Sequence, residues 1–99
     1  MVRKKEKFSR YDVADYLKSE EDLAAYLDAC MEEAGDDAAY IAAALGDIAR
    51  ARGMAQLAKD TGISREGLYK ALSPDGNPSL ATVLKVVKAL GLKLATKVA

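Results

Sequence analysis

A chain of 99 residues, 51% of them apolar, suits one domain with its own core, since that length buries about 60–68% of its unfolded surface. Fifteen basic and fifteen acidic side chains with no histidine leave no net charge and remove the commonest general acid–base group. The single cysteine, Cys30, excludes an intramolecular disulfide, and no apolar run nears the roughly 18–20 residues of a membrane span, so a cytoplasmic protein with no membrane partner is expected.

Ala, Leu, Glu, Lys and Asp dominate, prolines number only two, and β-branched residues are sparse until the end. That composition predicts an all-α protein. "MVRKKEKFSR" carries five basic groups (Arg3, Lys4, Lys5, Lys7, Arg10) against one acidic. It lacks periodicity and the apolar stretch of a signal peptide. It reads as a frayed arm, either a solubility tail or a segment that tracks phosphate or a minor groove. "SRYDVADYL" gives a short helix near 12–17, with Ser9 or Asp12 as cap. "SEEDLAAYLDACMEEAG" is a clear helix: Ser19 caps it, Glu20, Glu21 and Asp22 suit the positive end of its dipole, and Gly35 stops it. Leu23, Tyr26, Leu27, Cys30 and Met31 recur at i, i+3, i+4, i+7 and i+8, one buried stripe in which Cys30 fills core space.

"DDAAYIAAALGDIARARG" predicts a second long helix with Asp36 at its cap, Gly53 at its end, and Ile41, Ala44, Leu45 and Ile48 on one face. Gly46 interrupts it and permits close helix packing. Two stubby helices follow, near 54–60 and 65–72, each too short to stand alone. "SPDGNPS" (73–79) is a loop by its turn residues. Ser79 then caps a last helix with Leu80, Val83, Leu84, Val87 and Leu90 on one stripe and Gly91 as the stop. The tail "LKLATKVA" alternates apolar and polar residues and is strand-like, which requires a partner strand outside the chain.

The stubby pair carries the function. A second helix that crosses the first closely needs a small residue beneath it, here Ala58 with Leu57 in the core. The turn needs a left-handed residue, Gly62, and an apolar plug, Ile63. Ser64 caps the second helix, and Leu68, Ala71 and Leu72 face inward. Ser64, Arg65, Glu66, Tyr69 and Lys70 are left outward, at the helix start that a helix-turn-helix presents to base edges in the major groove. Arg65 fits guanine O6/N7, Glu66 can accept from cytosine N4, and Tyr69 can meet a thymine methyl or a phosphate. Gly67 lowers helix propensity by roughly 1 kcal/mol and would let the helix approach DNA closely. The competing reading is a helical hairpin whose Arg65 and Lys70 are solvated surface charges.

"MAQLAKDTGISREGLYKAL" resembles the helix-turn-helix of lambda-repressor-like (Xre-type) DNA-binding domains, and "GNPSLATVLKVVKALGLKL" looks like that family's following loop and helix. This resemblance covers about residues 37–94. With "YDVADYLKSEEDLAAYLDACMEEAGD" upstream, nearly the whole chain is similar to a narrower group, the addiction-module antidote proteins, antitoxins of RelE-like or HigB-type toxins. The resemblance implies a lambda-repressor-like helix-turn-helix bundle with an N-terminal helical extension and a short strand-like C-terminal tail. The divisions are 1–36, a basic arm and acidic helical extension; 37–91, the DNA-binding domain; and 92–99, a tail available for dimerisation. By position in that family, Gln56 and Lys70 meet phosphates, while Ser64, Arg65, Glu66 and Tyr69 fall where base and backbone readers sit.

Residues 11–36 hold nine acidic groups against one basic, and such a face must point away from DNA. Asp15, Glu20, Glu21, Asp22 and Asp28 are therefore candidates for docking a RelE-like toxin, which must be basic to hold RNA. A bland alternative is a solvated helix face. The expected protein is an antitoxin of a type II toxin–antitoxin module that represses its own operon. It would bind operator DNA as a homodimer, with recognition helices about 34 Å apart, joined through the tail and outer residues of the last helix such as Val86. The alternative is a plain phage-like repressor with no toxin partner. An enzyme is not expected: no catalytic set, metal-ligand spacing or cofactor motif is visible.

Overall fold

The computed structural model describes residues 17–98, which contain five α-helices and no strand: α1 Glu20–Ala34, α2 Ala38–Arg52, α3 Met54–Thr61, α4 Arg65–Ala71 and α5 Leu80–Ala89. Four of them begin on a side chain that accepts from an otherwise unpaired helical N–H. Ser19 and Asp22 form a reciprocal capping box at α1, and Ser64 and Ser79 cap α4 and α5. The α2 cap is Asp37 and not the expected Asp36, because only from position 37 does a carboxylate reach the amide of Tyr40, 3.1 Å away. The short helix expected near 12–17, its caps Ser9 and Asp12, the basic arm and Asp15 all lie outside the described residues.

α1 packs on α2, α2 on α3 and α4, and α3 on both α4 and α5. The core between them is built from Leu17, Leu23, Leu45, Ile48, Met54, Leu57, Leu68, Leu72, Val86 and Leu90. α2 is the central element: Ala42, Ala44, Leu45, Gly46, Ile48 and Ala49 are all buried, a far wider surface than a single stripe. Small residues there let neighbouring helices close in. A Cβ on Gly46 would collide with the carbonyl oxygen of Leu72 at the end of α4, so this glycine does permit the close packing expected of it.

Two expectations for α5 are corrected. Val86 is fully buried, together with Val87 and Leu90, while Leu80 is 69% and Leu84 47% exposed. Residues 83, 86, 87 and 90 form an i, i+3, i+4, i+7 series just as good as the one starting at 80, and the helix turns that series inward. Val86 is thus unavailable to a dimer partner, whereas Leu80 and Leu84 face out. α5 ends in a Schellman turn: Gly91, at φ 80°, donates to Lys88 and Leu92 donates to Val87, with Leu92 packed on the core. Residues 92–98 then run without regular structure. A strand requires a hydrogen-bonded neighbour, and the described residues supply none.

Candidate nucleic-acid interface and acidic face

The corner between α3 and α4 is set by three consecutive residues. Gly62 takes the left-handed conformation (φ 78°, ψ 9°) and donates to Ala58 O, closing α3 in geometry that an L side chain enters only at a cost. The Thr61 hydroxyl donates to Leu57 O at 2.8 Å and accepts from the Ile63 amide at 3.2 Å, so one side chain stitches both arms of the turn. Ile63 is half-buried against the core. Ser64 Oγ then accepts from Gly67 N at 2.9 Å and starts α4. Local sequence reasoning identified Gly62, Ile63 and Ser64 but not Thr61's double bond, although a Thr two residues before an amide is a known signal for such turns.

Leu68 and Leu72 anchor α4 in the core, and its outward side chains are those expected. Ser64, Arg65, Glu66, Tyr69 and Lys70 are all exposed, Tyr69 to 42%. No other described segment covers them. Gly67 has an intramolecular role as well: a Cβ there would press on Ser64 Oγ at 3.0 Å and Ile63 Cγ2 at 3.2 Å, so its absence makes room for the cap. Gln56 is exposed on α3, but its amide already donates to Asp60 Oδ1 at 2.9 Å. Only one of its two amide hydrogens is therefore left for another acceptor.

The acidic residues of α1 do not act as one group. Asp22 is held by its own cap: amides of Lys18 and Ser19 donate to its carboxylate at 3.1 and 3.2 Å, and the Lys18 bond above all keeps its pKa below the usual carboxylate value. Glu20 reaches back to the end of α5, 4.0 Å from the Arg52 guanidinium and against the α-carbon of Gly91. The same guanidinium donates to Leu90 O at 3.3 Å. Glu21 and Asp28 are exposed. α1 and α2 are also joined by a seam of two tyrosine hydrogen bonds that sequence reasoning did not find. Tyr26 Oη donates to Asp47 Oδ2 at 3.0 Å, and Tyr40 Oη donates to Glu33 Oε1 at 3.0 Å. Burial, and then the nearby Asp47 charge, push the Tyr26 phenol well above its ordinary value, and burial raises Cys30 too. A thiol held protonated in this way is a packing residue and a poor nucleophile, as the stripe position of Cys30 predicts.

A sequence profile described as "Probable addiction module antidote protein" matches residues 7–98. The chain belongs to this antidote family. A protein of Haemophilus influenzae (strain ATCC 51907 / DSM 11121 / KW20 / Rd), described as "Uncharacterized protein", is 57% identical over 88 residues, which is 89% of each chain. No solved structure matches. An antidote of an addiction module implies a toxin as partner, and the family is generally non-enzymatic. Among the described residues no group of His, Cys, Asp and Glu side chains is arranged to hold a metal ion, and no helix is long and apolar enough to cross a membrane.

Proposed function

We propose that this antidote protein is a sequence-specific DNA-binding antitoxin that represses its own operon through α3 and α4 and neutralises a basic, RelE-like toxin through its acidic N-terminal part. The observation that carries the DNA half is the exposure of five polar side chains around the start of α4, on a helix whose inner face is locked by Leu68 and Leu72. Arg65 addresses guanine, Glu66 accepts from cytosine N4, and Tyr69 meets a thymine methyl or a phosphate. Lys70 and the remaining N–H of Gln56 hold phosphates, which positions the helix without reading sequence. A single copy makes few such contacts, so the active species is a homodimer on a two-fold operator. The tail from residue 92 is its candidate seam, through pairing with its mate.

The toxin half rests on family membership and on charge. Of the four candidate carboxylates within the described residues, Glu20, Glu21 and Asp28 are exposed, while Glu20 and Asp22 also serve the fold. Footprinting on the DNA upstream of the protein's own gene tests the first half. A protected site with two-fold symmetry, lost at high salt, is expected; no protection at any salt concentration removes the repressor reading. The plain-repressor alternative is favoured if the neighbouring reading frame encodes no small basic protein that binds this chain.

A further inference from the structure

Between α1, α2, α5 and the loop before α5 lies an apolar groove of about 220 Å3, lined among others by Met31, Ile41, Leu45, Pro78 and Val83. It contains no residue of α3 or α4. Met31 is 46% exposed, and Leu80 and Leu84, one turn apart on α5 and flanking Val83, are exposed to 69% and 47%. Together they extend the apolar surface along α5. An apolar groove with exposed apolar side chains near it, a thioether among its lining, marks an interaction site more often than a stray surface residue does. Its rim is acidic. Glu32 follows Met31 on α1, and Asp36 and Asp37 lie between the lining residues Gly35 and Ala38, all three carboxylates exposed. Lys97 approaches Glu32 to 3.8 Å, and Lys85 sits about 200° around α5 from Val83 by helical geometry.

We propose that this groove receives an amphipathic helical segment of a basic protein, its apolar residues between α1, α2 and α5 and its flanking Lys and Arg side chains on Glu32, Asp36 and Asp37. This deepens the toxin-neutralising reading and rests on it. It adds an apolar anchor to what the N-terminal carboxylates could supply only as diffuse attraction. Exposed charge alone steers encounter, while desolvated apolar contacts hold the complex. Because the groove and the DNA-reading helices share no residue, one copy can engage both partners.

The full chain, isotopically labelled, is titrated with a synthetic peptide carrying Leu at i, i+3, i+4 and i+7 and Lys elsewhere, with amide shifts and calorimetry as readouts. Two further peptides replace Lys by Glu or Leu by Ser. Saturable binding is expected only for the Leu/Lys peptide, with shifts confined to residues 31–45 and 77–84. Met31→Lys and Leu84→Lys, both at exposed positions that fold as before, should each weaken it by about tenfold or more. Glu32→Lys with Asp36→Lys should weaken it several-fold and flatten its salt dependence. Equal binding of the Leu/Glu peptide overturns the choice of a basic partner, and equal binding of the Ser/Lys peptide overturns the groove. So does a map centred on Glu21 and Asp28. So too do concentration-dependent shifts of the groove residues without peptide, which would make a second copy the occupant. The antitoxin reading fails separately, if the small basic protein of the same operon does not bind the wild-type chain at any site.

Discussion

The α-carbon of Gly46, in the middle of α2, faces the carbonyl oxygen of Leu72 at the end of α4 with no room for a methyl group between them. Helix α4 is thereby seated on the central helix through backbone, and its tilt depends on the smallest side chain. Gly46→Ala should force α4 outward and destabilise the fold by about 1–3 kcal/mol, the usual cost of overpacking. Operator affinity should fall further than stability explains. Thermal unfolding beside anisotropy on operator DNA checks both; a variant as stable and as tightly bound as wild type would show that α4 can slide freely.

At the corner, Gly62→Ala should cost about 1–2 kcal/mol, because alanine must enter the left-handed region. No clash adds to that figure, since nothing lies near the position of its Cβ. Thr61→Val keeps the shape but deletes the hydroxyl that joins Leu57 O to Ile63 N. A loss of about 1–2 kcal/mol is expected. Denaturant midpoints with unchanged slopes would read both effects.

Arg65→Ala should cost about 1–3 kcal/mol on operator DNA and relax the preference at one base pair. Lys70→Ala should weaken all sequences alike and lower the salt slope by about 1. Titrations at several salt concentrations on the operator and its single-base variants separate the two. Identical profiles for the two variants would mean that α4 is not oriented as a reading helix.

The tyrosine seam makes stability depend on high pH. Tyr26 and Tyr40 have raised pKa values in the fold, Tyr40 pushed up to about 12. The fold thus favours the protonated phenols. Their stabilisation is complete below the ordinary tyrosine value of about 10 and is lost as pH rises above it. Melting temperature should therefore decline from that pH upward, with phenolate absorbance appearing late. Tyr26→Phe should melt lower at neutral pH, because Asp47 loses a donor, and should show a shallower alkaline decline.

Helix α1 depends on its capping box. Ser19→Ala should cost about 0.5–2 kcal/mol while leaving operator binding unchanged. Asp22, whose pKa is lowered by the amides it accepts from, contributes above the ordinary carboxylate value and loses that contribution as pH falls through its own. Protection factors of the amides at the start of α1, corrected for the intrinsic pH dependence of exchange, should fall as the solution is acidified, well before the core opens.

Much of this architecture can be read from local chemistry. Ser19, Ser64 and Ser79 announce helix starts because a hydroxyl followed by free amides has one good use, and Gly53, Gly62 and Gly91 end helices because their conformations exclude other residues. The exposed set on α4 follows from the same logic: once Leu68 and Leu72 point inward, helical spacing leaves Arg65, Glu66, Tyr69 and Lys70 outside. Asp36 and Asp37 were interchangeable at that level. Two adjacent carboxylates are equally good caps until the turn after Ala34 decides which one meets Tyr40 N.

What the chain's order of residues settled alone was which segments within residues 17–98 become helices, where each starts and stops to within a residue or so, and which side of α4 is polar, since all of these depend on neighbours within four positions. The folded arrangement decided which of two equally spaced apolar series on α5 is buried, sending Val86 inward and leaving Leu80 and Leu84 out. It also joined Tyr26 to Asp47 and Glu20 to Arg52 and opened the groove beneath Met31. These pair residues more than twenty positions apart in the chain, or choose between faces of equal periodicity. Only the packing of one helix against another distinguishes such alternatives.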